Sequence, residues 1–236
     1  MELTIDSYDD LIKYLIDNGI TMVNPREFQT VLDNFNKICK LEGDVVECGA
    51  WRGGFSIFLA LLFDDKRIWV CDSFEGFQPL DKVTHQDYNK SERHTPSFTH
   101  GAKGPLSISL EEVKGYFDRF GLKDESRIKF LKGFVNETLP TAGIDKISLL
   151  RIDVDAYSAT LDVLEELYDK VVPGGWIIVD DTNLYEAIDA LKTFFTQRNL
   201  PFVIHHPTTG EELDLNSGPY TDDNSGFPPG GYFIKK

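Results

Sequence analysis

The chain has 236 residues, and 24 Lys+Arg against 39 Asp+Glu leave a formal net charge of −15. A nucleic-acid polyanion meets net repulsion from such a protein, and no Lys/Arg run exceeds two residues, which excludes a nucleic-acid scaffold. Hydrophobic residues make up 41%, enough for one large core. The longest apolar stretch, Phe55 to Phe63 with Ser56 inside it, falls far short of the ~20 residues of a membrane span.

The opening Met1-Glu2-Leu3-Thr4-Ile5-Asp6 lacks the basic start and apolar run of a signal peptide, so the expected location is the cytoplasm. Cys39, Cys48 and Cys71 form no CxxC pair and sit in apolar segments, as buried thiols do. Two helices are predicted within residues 1–42. The second is announced by Asn24-Pro25-Arg26-Glu27: an N-cap, a proline at the first helical position and an acid in the first turn. Its apolar stripe is Phe28, Val31, Leu32, Phe35, Ile38 and Cys39.

From Asp44 short apolar runs alternate with helical patterns. Val45–Cys48, Ile68–Cys71, Ile128–Leu131, Ile147–Ile152 and Trp176–Val179 read as buried parallel strands. Gly54–Phe63, Leu110–Phe120 after the capping box Ser109-x-x-Glu112, Ala159–Tyr168 and Leu184–Phe195 read as helices. This alternation predicts an α/β fold, a doubly wound, mostly parallel sheet in a single domain over 1–236. A further strand is expected at Phe202–Ile204. Two long polar stretches break the pattern, Glu75–Pro105 with His85, His94 and His100, and Pro207–Gly231. Both are candidate lids over a substrate.

Ligands of open α/β sheets bind beyond the carboxyl ends of the strands. The first strand-to-helix turn reads Glu47-Cys48-Gly49-Ala50-Trp51-Arg52-Gly53-Gly54. Trp51 stands where the dinucleotide fingerprint needs its second glycine, which argues against NAD. Glu47 would repel phosphates and attract an ammonium or sulfonium group; S-adenosylmethionine carries both. Asp72, ending the second strand, is placed to accept hydrogen bonds from two ribose hydroxyls. The competing reading is that the glycines serve turn and packing and that Asp72 caps the next turn.

A second constellation is Arg151-Ile152-Asp153-Val154-Asp155-Ala156-Tyr157 with Asp180-Asp181. Alternation along an extended chain can put Asp153 and Asp155 on one face, and a neighbouring strand brings Asp180 and Asp181 alongside. Carboxylates so crowded need protons or a cation between them, and an all-oxygen set suits Mg²⁺ or Ca²⁺ better than zinc. The competing reading is a solvated acidic rim.

Together these segments resemble the macrocin O-methyltransferase family. The resemblance rests on Gly43 through Gly54, Asp72-Ser73-Phe74-Glu75-Gly76-Phe77, Lys132-Gly133-Phe134 with Thr138-Leu139-Pro140, Arg151 through Tyr157, and Pro173-Gly174-Gly175 through Asp180-Asp181. It implies a class I, Rossmann-like methyltransferase fold, S-adenosylmethionine and Mg²⁺ as cofactors, and transfer to a hydroxyl of a sugar or glycosylated small molecule. It assigns cofactor binding to Glu47, Gly49, Ala50, Trp51, Arg52, Gly53, Asp72, Ser73, Gly133, Phe134 and Asp153. Asp153, Asp180 and Asp181 become metal ligands and Asp155 the general base. A homo-oligomer, dimer or larger, is also implied, with the N-terminal helices as a source of contacts. Val154 departs from the small residue usual between the two acids. A catechol-type methyltransferase and a non-catalytic S-adenosylmethionine-binding module remain alternatives. His205 and His206 follow the expected last strand, and none of the five histidines is taken as catalytic. Trp51, Trp69 and Trp176 read as packing, and Tyr157 as substrate contact or helix cap.

Overall fold

The computed structural model describes residues 6–79, 82–85, 106–218 and 230–236. Two helices come first, α1 (Tyr8–Asp17) and α2 (Pro25–Ile38). Asn24 caps α2 by accepting from the Arg26 N–H at 2.9 Å, with Pro25 at the first position as expected. The alternating part then follows: β1 (Asp44–Cys48), α3 (Gly54–Leu62), β2 (Ile68–Asp72), α4 (Leu110–Arg119), β3 (Ile128–Lys132), the short α5 (Val135–Thr138), β4 (Ile147–Ile152), α6 (Tyr157–Leu167), β5 (Val171–Val179), α7 (Tyr185–Gln197) and β6 (Gly231–Ile234).

The sheet order is β3-β2-β1-β4-β5-β6, with all pairs parallel except β5–β6. Central strands are mostly apolar because both faces are covered: in β4 every residue from Ile147 to Ile152 is buried, Ser148 and Arg151 among them. Helices α1, α2, α3 and α4 pack on one face, where the Phe28, Phe55 and Phe58 rings meet at 4.6–5.5 Å. Helices α6 and α7 cover the other. Ser109 caps α4 by accepting from the Glu112 N–H, the first half of the expected capping box. The pairing of β4 with β5 skips from Ile147↔Val171 to Leu149↔Trp176, so Pro173-Gly174-Gly175 loops out of register.

One expectation is corrected. Phe202–Ile204 forms no strand; Pro201 lacks an N–H, and only His205 bridges, to Glu212 and Tyr232. The edge beside β5 is taken by β6, antiparallel, whose Tyr232 stacks on Trp176 at 4.6 Å. The remaining strands and helices lie within a few residues of their expected places. Residues 86–105, with His94 and His100, and 219–229 of the second candidate lid lie outside the described residues. So does the start of the chain, 1–5. Among the described residues no helix is long and apolar enough to cross a membrane.

Candidate active site

The chain leaves β1 for β2 and β3, then returns to β4 on the other side, so the crevice lies between the ends of β1 and β4. Gly49 permits their close approach. Its φ is +85°, and a Cβ there would lie 1.6 Å from the Asp153 carbonyl oxygen. The Asp153 N–H donates to the Cys48 carbonyl at 2.9 Å.

Asp72 braces the turn that follows. The N–H groups of Ala50 and Trp51 donate to its Oδ2 at 2.8 and 2.9 Å, and the Phe74 N–H donates to its Oδ1 at 2.7 Å. Trp51 and Phe74 both hold positive φ, +47° and +55°, a conformation that costs a non-glycine residue on the order of 1 kcal/mol and here is held by one carboxylate. Burial pushes Asp72 up, and the backbone donors of Phe74, Trp51 and Ala50 pull against it. The capping role is therefore real, although the side chain also faces the crevice.

A cavity of about 420 Å³ opens here. Glu47, Gly49, Ala50, Trp51, Asp72, Ser73, Gly133, Phe134 and Asp153 line it, as do Asp155, Asp180 and Asp181. Two residues of the expected cofactor set do not. Arg52 turns away to donate to the Gly19 carbonyl at 2.7 Å, its guanidinium 4.6 Å from the Trp51 ring. Gly53 faces α4, where a Cβ would meet Phe117 at 2.7 Å.

The acids gather around a cation. Arg151 is completely buried, 4.4 Å over the Phe55 ring. Its Nη1 donates to Glu47 Oε1 and to Asp153 Oδ2, both at 2.8 Å, and its Nη2 to Glu27 Oε2 at 3.1 Å and to Asp180 Oδ1. Ser56 donates to the other oxygen of Glu47. Burial works against the guanidinium's charge, but Asp153, Glu27, Asp180 and Glu47 outweigh it and hold Arg151 protonated.

Asp153, Asp155 and Asp181 offer carboxylate oxygens all within 4.8 Å of one another. Asp155 reaches this position at φ +58°, and its N–H donates to Asp181 Oδ2 at 2.9 Å. Asp180 is turned onto Arg151 instead, so the trio that faces together contains Asp155 in its place. Burial raises the proton affinity of all four. Asp155 is pushed up to about 6, against a hydrogen bond from Asp181 that lowers it. Asp153, Asp180 and Asp181 rise well above the ordinary carboxylate range, from burial first and then from Asp180, Glu27 and Asp155 respectively.

This has a measurable consequence. Folded-state values above the unfolded ones mean that the folded protein holds protons which the unfolded chain releases, so stability falls as pH rises from the unfolded value of 3.8 through about 6 and beyond. In EDTA the melting temperature at pH 8 is expected to lie about 3–6 °C below that at pH 5.5, since 1 kcal/mol shifts a chain of this size by about 2–4 °C. Scanning calorimetry reads the difference; a melting temperature that climbs over this interval contradicts the arrangement.

Glu27 escaped the sequence reading, which treated it as a first-turn acid of α2. The available signal was its place on the buried stripe, four residues before Val31, where a charge needs a partner. Arg151 stands in the sequence as part of a motif without an assigned role. Ser158 Oγ, buried and without a hydrogen-bond partner, also lines the cavity. Of the histidines, His85 pairs with Asp162 at 3.4 Å, His205 Nδ1 lies 3.1 Å from the Gly210 carbonyl, and His206 Nδ1 accepts from the N–H groups of Thr208 and Thr209.

The family model described as macrocin-O-methyltransferase matches residues 16–207. Mycinamicin III 3''-O-methyltransferase of Micromonospora griseorubida is 39% identical over 145 residues, 59% of this chain and 55% of that protein. A tetracenomycin-C derivative 4'-O-methyltransferase of Streptomyces olivaceus is 36% identical over 157 residues, 64% of this chain and 58% of that one. The chain thus spans a little over half the length of these two relatives. Among solved structures, the O-methyltransferase NovP is 28% identical with a TM-score of 0.67, over 89% of this chain and 78% of NovP. Calicheamicin methyltransferase CalS11, at 16% identity and a TM-score of 0.60 over 98% of this chain and 86% of its own, shares the fold.

Proposed function

Because the chain belongs to the macrocin O-methyltransferase family, we propose that it moves the methyl group of S-adenosylmethionine to a hydroxyl of a sugar or sugar-bearing small molecule. The observation that carries this reading is the convergence of Asp153, Asp155 and Asp181 in the cavity, beside the Gly49 turn. The Streptomyces olivaceus relative is named for 4'-O-methylation of a rhamnosyl-tetracenomycin and the Micromonospora griseorubida one for 3''-O-methylation of mycinamicin III, which supports the acceptor class. We read residues 1–236 as one methyltransferase domain.

The donor set fits a hard divalent ion such as Mg²⁺. It is all oxygen, closely spaced and partly shielded from water, and its mutual repulsion asks for positive charge. Asp153 and Asp181 are the proposed ligands together with Asp180, which must loosen its hold on Arg151 to join them. The chemistry a bound ion supplies is a lowered pKa for the acceptor hydroxyl. The chain's own residues do the rest. The Gly49 turn, Asp72, Ser73, Gly133 and Phe134 hold the donor, and Glu47 adds negative charge beside its cationic groups. Asp155, next to the ligands and raised to about 6, takes the hydroxyl proton as the oxygen forms its bond to the methyl carbon. The carbon–sulfur bond breaks, leaving S-adenosylhomocysteine and a methyl ether.

We also propose a homo-oligomer and a cytoplasmic location; Cys39, Cys48 and Cys71 are all unpaired, as suits a reducing compartment. The test is transfer of labelled methyl from S-adenosylmethionine across a panel of glycosides, free sugars and catechols. Methyl ethers on sugar hydroxyls are expected, and catechol products alone would replace the acceptor assignment. EDTA should cut turnover at least a hundredfold and Mg²⁺ restore it. Indifference to chelation removes the metal from the reading.

A further inference from the structure

Arg151 is the cation nearest the acids, and the way it is shared bears on how strongly they attract another. Each of its terminal nitrogens serves two carboxylates: Nη1 serves Glu47 and Asp153, Nη2 serves Glu27 and Asp180. Asp153 and Asp180 are therefore held by the same guanidinium that Glu27 grips from α2, through both Nη2 and Nε at 3.1 and 3.2 Å. Glu27 is only 1% exposed. Its second oxygen is occupied from elsewhere in the chain, accepting from the Gly230 N–H at 3.4 Å. One guanidinium thus serves four carboxylates, Glu27, Glu47, Asp153 and Asp180, while Asp155 and Asp181 stand beside Asp153 and outside these ion pairs.

We infer that Glu27 is a positioning residue, which competes with Asp153 and Asp180 for Arg151 so that this guanidinium offsets their charge only in part, and thereby sets the affinity of the acid cluster for a divalent cation. The inference rests on the metal reading above and adds to it a residue outside the motifs that carry that reading. Two physical effects point the same way. Removing the Glu27 charge makes the field at the acids more positive by one unit, which weakens any added cation. It also leaves Arg151 with fewer competitors, so Asp180 is held on Nη2 more firmly and is less able to turn toward an ion.

The experiment is Mn²⁺ binding to the purified full chain, followed by electron paramagnetic resonance of free Mn²⁺, in wild type, Glu27→Gln and Glu27→Asp. Glu27→Gln keeps the shape and removes the charge; its Mn²⁺ affinity should fall about tenfold or more. Glu27→Asp keeps the charge on a shorter arm and should fall between the two. S-adenosylhomocysteine, whose sulfur is neutral, should bind all three within about twofold, showing that the cavity is intact. A structural role alone would lower the melting temperature without altering Mn²⁺ affinity in folded protein that still binds the nucleoside. Wild-type Mn²⁺ affinity in Glu27→Gln overturns the inference while leaving the metal reading intact. Should Glu27→Gln not fold, Glu27→Asp decides, and wild-type affinity there overturns it equally. Failure of wild type itself to bind Mn²⁺ overturns the metal reading and this inference together.

Discussion

Asp155→Asn is expected to reduce methyl transfer about 10²–10⁴-fold while S-adenosylhomocysteine and Mn²⁺ still bind, because it removes a proton acceptor and little else. Asparagine tolerates the left-handed conformation at φ +58° about as well as aspartate does, and its N–H can keep the 2.9 Å bond to Asp181. The amide has nearly the shape of the carboxylate and no charge to accept a proton. Wild-type turnover should rise with pH as Asp155 loses its proton, at or below about 6 because a bound cation lowers the value that burial raises. The residual rate of the variant should lack that limb. Labelled-methyl transfer between pH 5 and 8, with ligand binding measured by titration calorimetry, makes the comparison. Turnover at the wild-type level would take the base role from Asp155, and lost turnover accompanied by lost Mn²⁺ binding would make it a ligand.

The parts of this site that could be read in advance follow from backbone geometry. Parallel strands covered on both faces are mostly apolar runs, so Ile147–Ile152 is legible despite Ser148 and Arg151, and residues just past such a strand must emerge at its carboxyl end. Gly49, Asp72, Asp153 and Asp180-Asp181 therefore belong at one sheet edge on sequence grounds alone. Side-chain direction was not legible in the same way. Asp180 and Asp181 are neighbours in sequence, yet one turns to Arg151 and the other to Asp155, a choice made by a guanidinium 29 residues away on the adjacent strand. Glu27 belongs to the site only because the fold brings the start of α2 against Arg151 of β4, which no local pattern encodes. Asp72 shows a different limit: the two readings offered for it, ligand contact and turn cap, were alternatives on paper, while the folded side chain caps two turns and still lines the cavity. The edge strand is hard to read because Gly231–Ile234 is short and follows a sequence rich in glycine and proline, whereas Phe202–Ile204 has the apolar residues without a free partner edge.

Gly49→Ala is expected to be among the most damaging single substitutions in the chain, costing about 4 kcal/mol or more of stability. Two terms add. The left-handed backbone at φ +85° costs alanine about 1–2 kcal/mol, and the new methyl would sit 1.6 Å from the Asp153 carbonyl oxygen and 2.5 Å from its carbon. Those are backbone atoms of β4's end, so relief requires β1 and β4 to part, and the 2.9 Å bond from the Asp153 N–H to Cys48 goes with them. A domain holds only about 5–15 kcal/mol in total, so protein that still folds should do so marginally and without nucleoside binding. Gly143→Ala isolates the first term, because Gly143 has φ +73° and no atom within 4 Å of its would-be Cβ. Urea denaturation should therefore show Gly143→Ala only slightly below wild type and Gly49→Ala far below both. Equal midpoints for the two variants would mean that the strand ends are not in the contact described, and the acids carried by β4 would then lose their fixed distance from the glycine turn.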